Sequence, residues 1–86
     1  MSTVPLEVLT PEGTVVSGDV EFVVLPGVDG ELGVLPGHMP LLAPLAAGRV
    51  RYITGDQESR LVTTPGLADI TPHHVRIFTT SARREY

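Results

Sequence analysis

From Gly30 to Leu42 the chain reads Gly-Glu-Leu-Gly-Val-Leu-Pro-Gly-His-Met-Pro-Leu-Leu, a stretch punctuated by glycine and proline at nearly every turn of phase. No helix runs through it. Proline removes a backbone donor and clashes with the preceding turn, and glycine favours left-handed or tightly turned backbone. Leu32, Val34, Leu35, Leu41 and Leu42 are nevertheless apolar, so the segment is expected to return repeatedly to a core. Short strands joined by fixed turns meet both demands. Glu31 and His38 are then presented at turn positions, with Gly30, Gly33 and Gly37 as structural turn glycines.

The same punctuation recurs along the whole chain. Leu6-Glu7-Val8-Leu9 alternates and Thr10-Pro11-Glu12-Gly13 supplies turn residues. The run from Thr14 to Leu25 is strongly β-branched, and Gly18 within it predicts a bulge or bend. Pro26-Gly27 and Asp29-Gly30 mark the next turns, and Pro44 puts the short run Leu41–Leu45 at a sheet edge. In Arg49–Thr54 the alternation sets Arg49, Arg51 and Ile53 on one face and Val50, Tyr52 and Thr54 on the other. Gly55-Asp56-Gln57-Glu58, Pro65-Gly66 and Thr71-Pro72-His73-His74 separate the later strands. Turn signals at a spacing of roughly 8–12 residues mark an all-β sandwich or barrel. The expected fold is an antiparallel β-sandwich forming one domain, 1–86, without a linker.

Composition removes whole classes of function. The chain has 86 residues, and at that size it buries roughly 60% of its unfolded surface. It has no cysteine, hence no disulfide framework and no thiolate metal site. Lysine is absent, and a net charge of −4 disfavours nucleic acid, whose binding is dominated by phosphate neutralisation. The few aromatics (Phe22, Tyr52, Phe78, Tyr86) weaken base stacking as well. No run reaches the roughly 20 apolar residues of a membrane span, and no signal peptide is evident. The reading is a soluble, cytoplasmic chain that neither inserts into a membrane nor binds one directly.

Candidate chemistry is thin. His73 and His74 are adjacent, so in extended backbone they diverge, and they are expected in a solvated turn. A metal or small-ligand site would need His38 to join them from another loop. The glycines do not match a phosphate loop, there is no lysine to complete one, and no helix follows. Ser2, Ser17, Ser59 and Ser81 sit in no nucleophile-elbow context. No catalytic residue, cofactor site or metal site is assigned. By elimination the chain is an interaction module, working through the rigid loops of 27–40 and an exposed sheet edge or face; preset loops bind with less ordering entropy.

Gly30-Glu31-Leu32-Gly33 followed by Pro36-Gly37-His38-x-Pro40-Leu41-Leu42 resembles the signature of the epsilon-subunit family of F-type ATP synthases, a subunit called delta in mitochondria. Leu6-x-Val8-x-Thr10-Pro11 resembles the family's opening strand, and Val16 through Gly18, Val20 and Glu21 its second. Gly48-Arg49-Val50-Arg51 and the stretch from Pro65 to Val75 resemble its later hairpins. The resemblance implies a flattened β-sandwich of about ten short strands in the central stalk, or rotor. There it would clamp the gamma subunit and sit on the membrane c ring, at the cytoplasmic face of the inner membrane. It would hold no catalytic residue, because ATP is made in the alpha–beta head, which it touches only indirectly.

By position, the resemblance puts Asp29, Gly30 and Glu31 on the loop facing the c ring. It puts Thr10, His38, Met39, Leu41 and Leu42 towards gamma. Relatives in this family usually continue into a C-terminal helical hairpin, and this chain stops about where that hairpin would begin. Arg83 and Arg84 are expected in a fraying tail. The competing reading is a free-standing small-ligand or metal-binding β-sandwich using His38, His73 and His74.

Overall fold

The computed structural model describes residues 2–85, most of which lie in ten strands. They are β1 (Val4–Thr10), β2 (Gly13–Val20), β3 (Phe22–Gly27), β4 (Gly30–Val34), β5 (Leu41–Leu45), β6 (Gly48–Thr54), β7 (Gln57–Thr63), β8 (Gly66–Thr71), β9 (His74–Thr79) and β10 (Ala82–Glu85). Among the described residues no helix is long and apolar enough to cross a membrane.

The ladder runs β10-β7-β6-β3-β5-β8-β9-β1-β2, and β4 lies along the other side of β3. Full-length pairing divides it into two layers. One is β10-β7-β6-β3-β4 and the other β5-β8-β9-β1-β2. The layers meet at one seam where Gly27 pairs with Leu45, flanked by Val28 N–H to Pro44 O (3.2 Å) and Ala46 N–H to Pro26 O (2.8 Å). They nearly close at the opposite seam, where the Glu21 N–H donates to Ile53 O at 2.8 Å. All ladders are antiparallel except β1 with β9, which is parallel (Leu6 beside Val75 to Leu9 beside Phe78). The expected antiparallel sandwich thus holds with one parallel pair inside it.

Strict alternation builds the core. Val4, Leu6 and Val8, then Val23 and Leu25, Val50 and Tyr52, Ala68 and Ile70, and Val75 and Ile77 point inward from their strands and pack together. Their neighbours in sequence mostly lie toward solvent, as a period of two requires, with Val24 of β3 buried as well. Two-residue loops close four of the hairpins: Pro11-Glu12, Val28-Asp29, Gly55-Asp56 and Pro72-His73.

Several expectations need correction. Gly18 lies in register opposite Leu6 with no bulge; the irregularity falls at Val15, squeezed out where Val8 pairs with Val16 and Leu9 with Thr14. The chain bends instead at Glu21, where it leaves one layer for the other. Gly33 is not a turn residue. It sits within β4 opposite Val24, and a Cβ there would lie 3.2 Å from the Phe22 ring, so it is a packing glycine. Arg83 and Arg84 are not a tail: β10 pairs with β7 from Ala82–Thr63 to Glu85–Arg60.

Pro44 keeps β5 half an edge. Its carbonyl faces the seam with β3, so its missing N–H is on that side too, while β5 pairs with β8 over all its residues.

Candidate interaction surface

The loop between β4 and β5 is a type II turn. Proline at Pro36, glycine at Gly37 with φ +83°, and the His38 N–H donating to Leu35 O (3.2 Å) are its elements. The His38 ring is half-buried and its Nδ1 meets Met39 O at 2.7 Å, so the imidazole braces its own loop. The apolar residues of this segment mostly do not return to a core. Val34 is buried and Leu32 half-buried, whereas Leu35 (60%), Met39 (77%), Leu41 (41%) and Leu42 (65%) stand in water. The turn ends β4 after Val34 and carries the chain outside the sandwich until β5 begins.

The exposed leucines adjoin a broader surface. On the outer face of the β5-β8-β9-β1-β2 layer, strand register aligns Pro44, Leu67, Phe78 and Leu9 in one cross-strand row. Leu67 and Phe78 remain 40% and 44% exposed. The neighbouring row is Leu42, Asp69, Arg76, Glu7 and Ser17. Its Arg76 Nε donates to Glu7 Oε1 at 2.8 Å, and His74 Nε2 lies 3.2 Å from Asp69 Oδ2. An open groove lined by Leu9, Thr10, Pro11, Pro65, Leu67 and Phe78 ends this face. A contiguous apolar patch on a small domain marks a contact surface rather than ordinary scatter.

The sequence-predicted residues fall into two sets. Asp29, Gly30 and Glu31 form the β3–β4 hairpin tip and share a second open groove with Val28, Leu41 and Leu42. Thr10 stands at the other groove, and its hydroxyl is already engaged, accepting from Glu12 N–H (3.2 Å) and donating to Gly13 O (3.2 Å). The Glu31 side chain is 71% exposed, with Oε2 3.7 Å from an Arg51 guanidinium nitrogen. Such exposed pairs contribute at most about 1 kcal/mol.

Leu67 and Phe78 escaped the sequence reading. Their signal was present: Phe78 alternates in phase with Arg76, opposite to Val75 and Ile77.

The outer face of the other layer differs in kind. Arg51 stands opposite Arg60, with Glu58 pairing to both (4.0 and 2.8 Å), and Arg49 Nε donates to Glu85 Oε1 at 2.8 Å. That hydrogen bond holds the Glu85 carboxyl below the usual carboxylate range and raises Arg49 in turn. Here Arg49, Arg51 and Arg60 meet Glu58 and Glu85, and Glu31, 3.7 Å from Arg51, brings a third carboxylate to the edge of the lattice.

The histidines do not assemble. His38 braces its loop, and His73 lies in the exposed β8–β9 turn. His74, expected in a solvated turn, begins β9 half-buried beside Asp69. Thr71 Oγ1 accepts the N–H groups of both His73 (3.1 Å) and His74 (3.0 Å). Among the described residues no group of three or more His, Cys, Asp or Glu side chains is placed to hold a metal ion.

Residues 3–85 match the family described as ATP synthase, Delta/Epsilon chain, beta-sandwich domain. The ATP synthase epsilon chain of Alkalihalophilus pseudofirmus is 44% identical over 82 residues, covering 95% of this chain and 62% of that one. The fold is shared with a chain in the cryo-EM structure of the Euglena gracilis mitochondrial ATP synthase, OSCP/F1/c-ring (TM-score 0.90, 23% identity, 98% of this chain and 54% of that one). It is shared too with a chain from the central stalk/c-ring of the Tetrahymena thermophila mitochondrial ATP synthase (TM-score 0.79, 11% identity, 95% of this chain and 66% of that one). The chain spans about three-fifths of the length of the curated relatives it matches (62% and 63%).

Proposed function

The chain belongs to the ATP synthase delta/epsilon beta-sandwich family, and from that premise we propose that it is a non-catalytic rotor subunit joining gamma to the c ring. The observation that carries this reading is the continuous apolar outer face of Leu42, Pro44, Leu67 and Phe78, which water would otherwise cover. Gamma docks on this face, with Met39, Leu41 and the His38 loop at its rim and Thr10 at its far end. A permanent contact of this kind buries roughly 2,000 Å² or more and is apolar at its centre. The chains sharing the fold belong to F1/c-ring and central stalk/c-ring assemblies, which supports the partner set.

The hairpin tip Asp29-Gly30-Glu31 meets the c ring, whose polar loops would offer basic groups to Glu31. The subunit then sits peripherally at the membrane's cytoplasmic face, reaching the alpha–beta head only through gamma. Its work is mechanical: it transmits torque and holds no reacting atom.

Calorimetric titration into gamma from the same organism tests the docking. A tight one-to-one complex with a negative heat-capacity change is expected, since apolar burial gives that sign; no binding to folded gamma refutes it. For the c-ring contact, reconstituted enzyme carrying Glu31→Lys should pump protons less efficiently while gamma binding persists. Unchanged pumping efficiency would remove Glu31 from the interface.

A further inference from the structure

We propose that docking on the outer face of the β5-β8-β9-β1-β2 layer takes up a proton at His74, so that the face grips its partner more tightly in mild acid than in mild base. The inference rests on reading that face as the gamma-docking surface. Its ground is a charge count on four side chains: Asp69, Arg76 and Glu7 in the row beside the apolar one, and His74 from the row beyond.

Asp69, Arg76 and Glu7 stand side by side in register on β8, β9 and β1. Arg76 is committed to Glu7, Nε to Oε1 at 2.8 Å, which leaves Asp69 with His74 as its near partner, Nε2 to Oδ2 at 3.2 Å. All four side chains are between 25% and 45% exposed, so water still reaches them in the free chain. With a neutral imidazole the set carries one net negative charge; with an imidazolium it carries none. Solvent tolerates the imbalance, but a partner that excludes solvent does not, because an unpaired charge taken out of water is far costlier than a paired one.

The surroundings bias the same way. Beyond β1, Asp19 on β2 stands opposite Pro5 and adds a further acidic group. Beyond β8, β5 contributes the apolar Leu42 opposite Asp69. His73 in the adjoining turn is exposed at the rim. The inward neighbours Ile70, Val75 and Ile77 carry no charge. Thr71 Oγ1 accepts the His73 and His74 N–H groups, so the turn that holds the imidazole beside Asp69 is set before docking. The step is a simple one: one proton passes from solvent to the imidazole, and no other covalent bond changes. Histidine is the side chain whose charge ordinarily changes between about pH 5 and 8.

The test is calorimetric titration of this chain into its gamma subunit at pH 7, in buffers of differing ionisation enthalpy, repeated between pH 6 and 8. The observed enthalpy should vary linearly with buffer ionisation enthalpy, with the slope of a fraction up to one proton taken up. The dissociation constant should weaken with rising pH, by at most about tenfold per unit for one linked proton. His74→Gln keeps a donor for Asp69 and should still bind at pH 8, with slope and pH dependence gone; Asp69→Asn should also lose the uptake. A zero slope in the unaltered chain, or an undiminished slope in His74→Gln, overturns the proposal while leaving docking intact. No binding at any pH overturns the docking reading, and this proposal with it.

Discussion

Truncating Leu42 to alanine removes an apolar side chain that stands 65% exposed opposite Asp69, on the β5 end of the proposed docking face. Full burial of a leucine side chain is worth about 1.5–3 kcal/mol, so the share of Leu42 still in water represents about 1–2 kcal/mol available to a partner. Lost on docking, that is roughly a five- to thirtyfold weaker complex. The free chain should be almost unaffected, since exposed substitutions of this kind stay within about 0.5 kcal/mol. Two assays separate the effects: urea denaturation of the free chain, and calorimetric titration into gamma. Arg83→Ala, on the charged outer face of the other layer, serves as the control and should leave the dissociation constant unchanged. If Leu42→Ala binds within twofold of the unaltered chain, the β5 end of this face does not meet gamma. If Arg83→Ala weakens binding as much, gamma docks on the β10-β7-β6-β3-β4 layer instead.

Two further outcomes test the fold. Gly66 pairs with Thr79, and a Cβ there would lie 2.0 Å from Phe78 O, against backbone that cannot swing away. Gly66→Ala should therefore cost about 2–3 kcal/mol as overpacking, read as a lower urea midpoint; a loss under about 0.5 kcal/mol would mean that β8 and β9 separate freely. The second concerns acid. Because Arg49 holds the Glu85 carboxyl below its ordinary range, the support it lends β10 is fully present above the ordinary glutamate value of about 4.3 and disappears as pH falls through the lowered one. Arg49 itself titrates far above neutrality and adds nothing there. Exchange protection of the Ala82–Glu85 amides should thus fall in acid before that of β6, and equal protection throughout would contradict it.

What the sequence disclosed was local. Pro11-Glu12, Gly55-Asp56 and Pro72-His73 turn the chain where their residues say they should, and the alternation of Arg49–Thr54 sorts the faces correctly. What it hid depends on distant partners. Gly33 looks like a turn residue until Phe22, brought alongside by the β3–β4 pairing, occupies the space over it. Ala82–Glu85 has no strand pattern of its own and is ordered by β7 and by Arg49, far back in the chain. The leucines of 35–42 look like core because apolar residues usually are. The type II turn at Leu35–His38 lifts Leu35 off the sandwich, and the β5–β8 register sets Leu42 on the outer face opposite Asp69, so neither is core. Phe78 and Leu67 become a patch only when parallel pairing with β1 and antiparallel pairing with β8 set them in one row.

The two proposed contacts lie on different layers, and the seam between the layers determines how force would pass from one to the other. Glu31 belongs to the β3–β4 hairpin, Leu42 to β5. Between them stand the Gly27–Leu45 pairing, the Val28 N–H to Pro44 O bond and the Ala46 N–H to Pro26 O bond. A load taken up at the hairpin tip therefore reaches the docking face through backbone hydrogen bonds a few residues away, without relying on surface side chains to carry it. Gly27 makes the hairpin this tight: a Cβ there would lie 2.7 Å from Gly30 O. The charged lattice of the first layer is largely paired within itself and offers no comparable apolar surface to a partner. Torque transmission needs one body with an apolar grip on one side and a polar foot beside it, and a sandwich joined by backbone pairing at this seam meets that requirement.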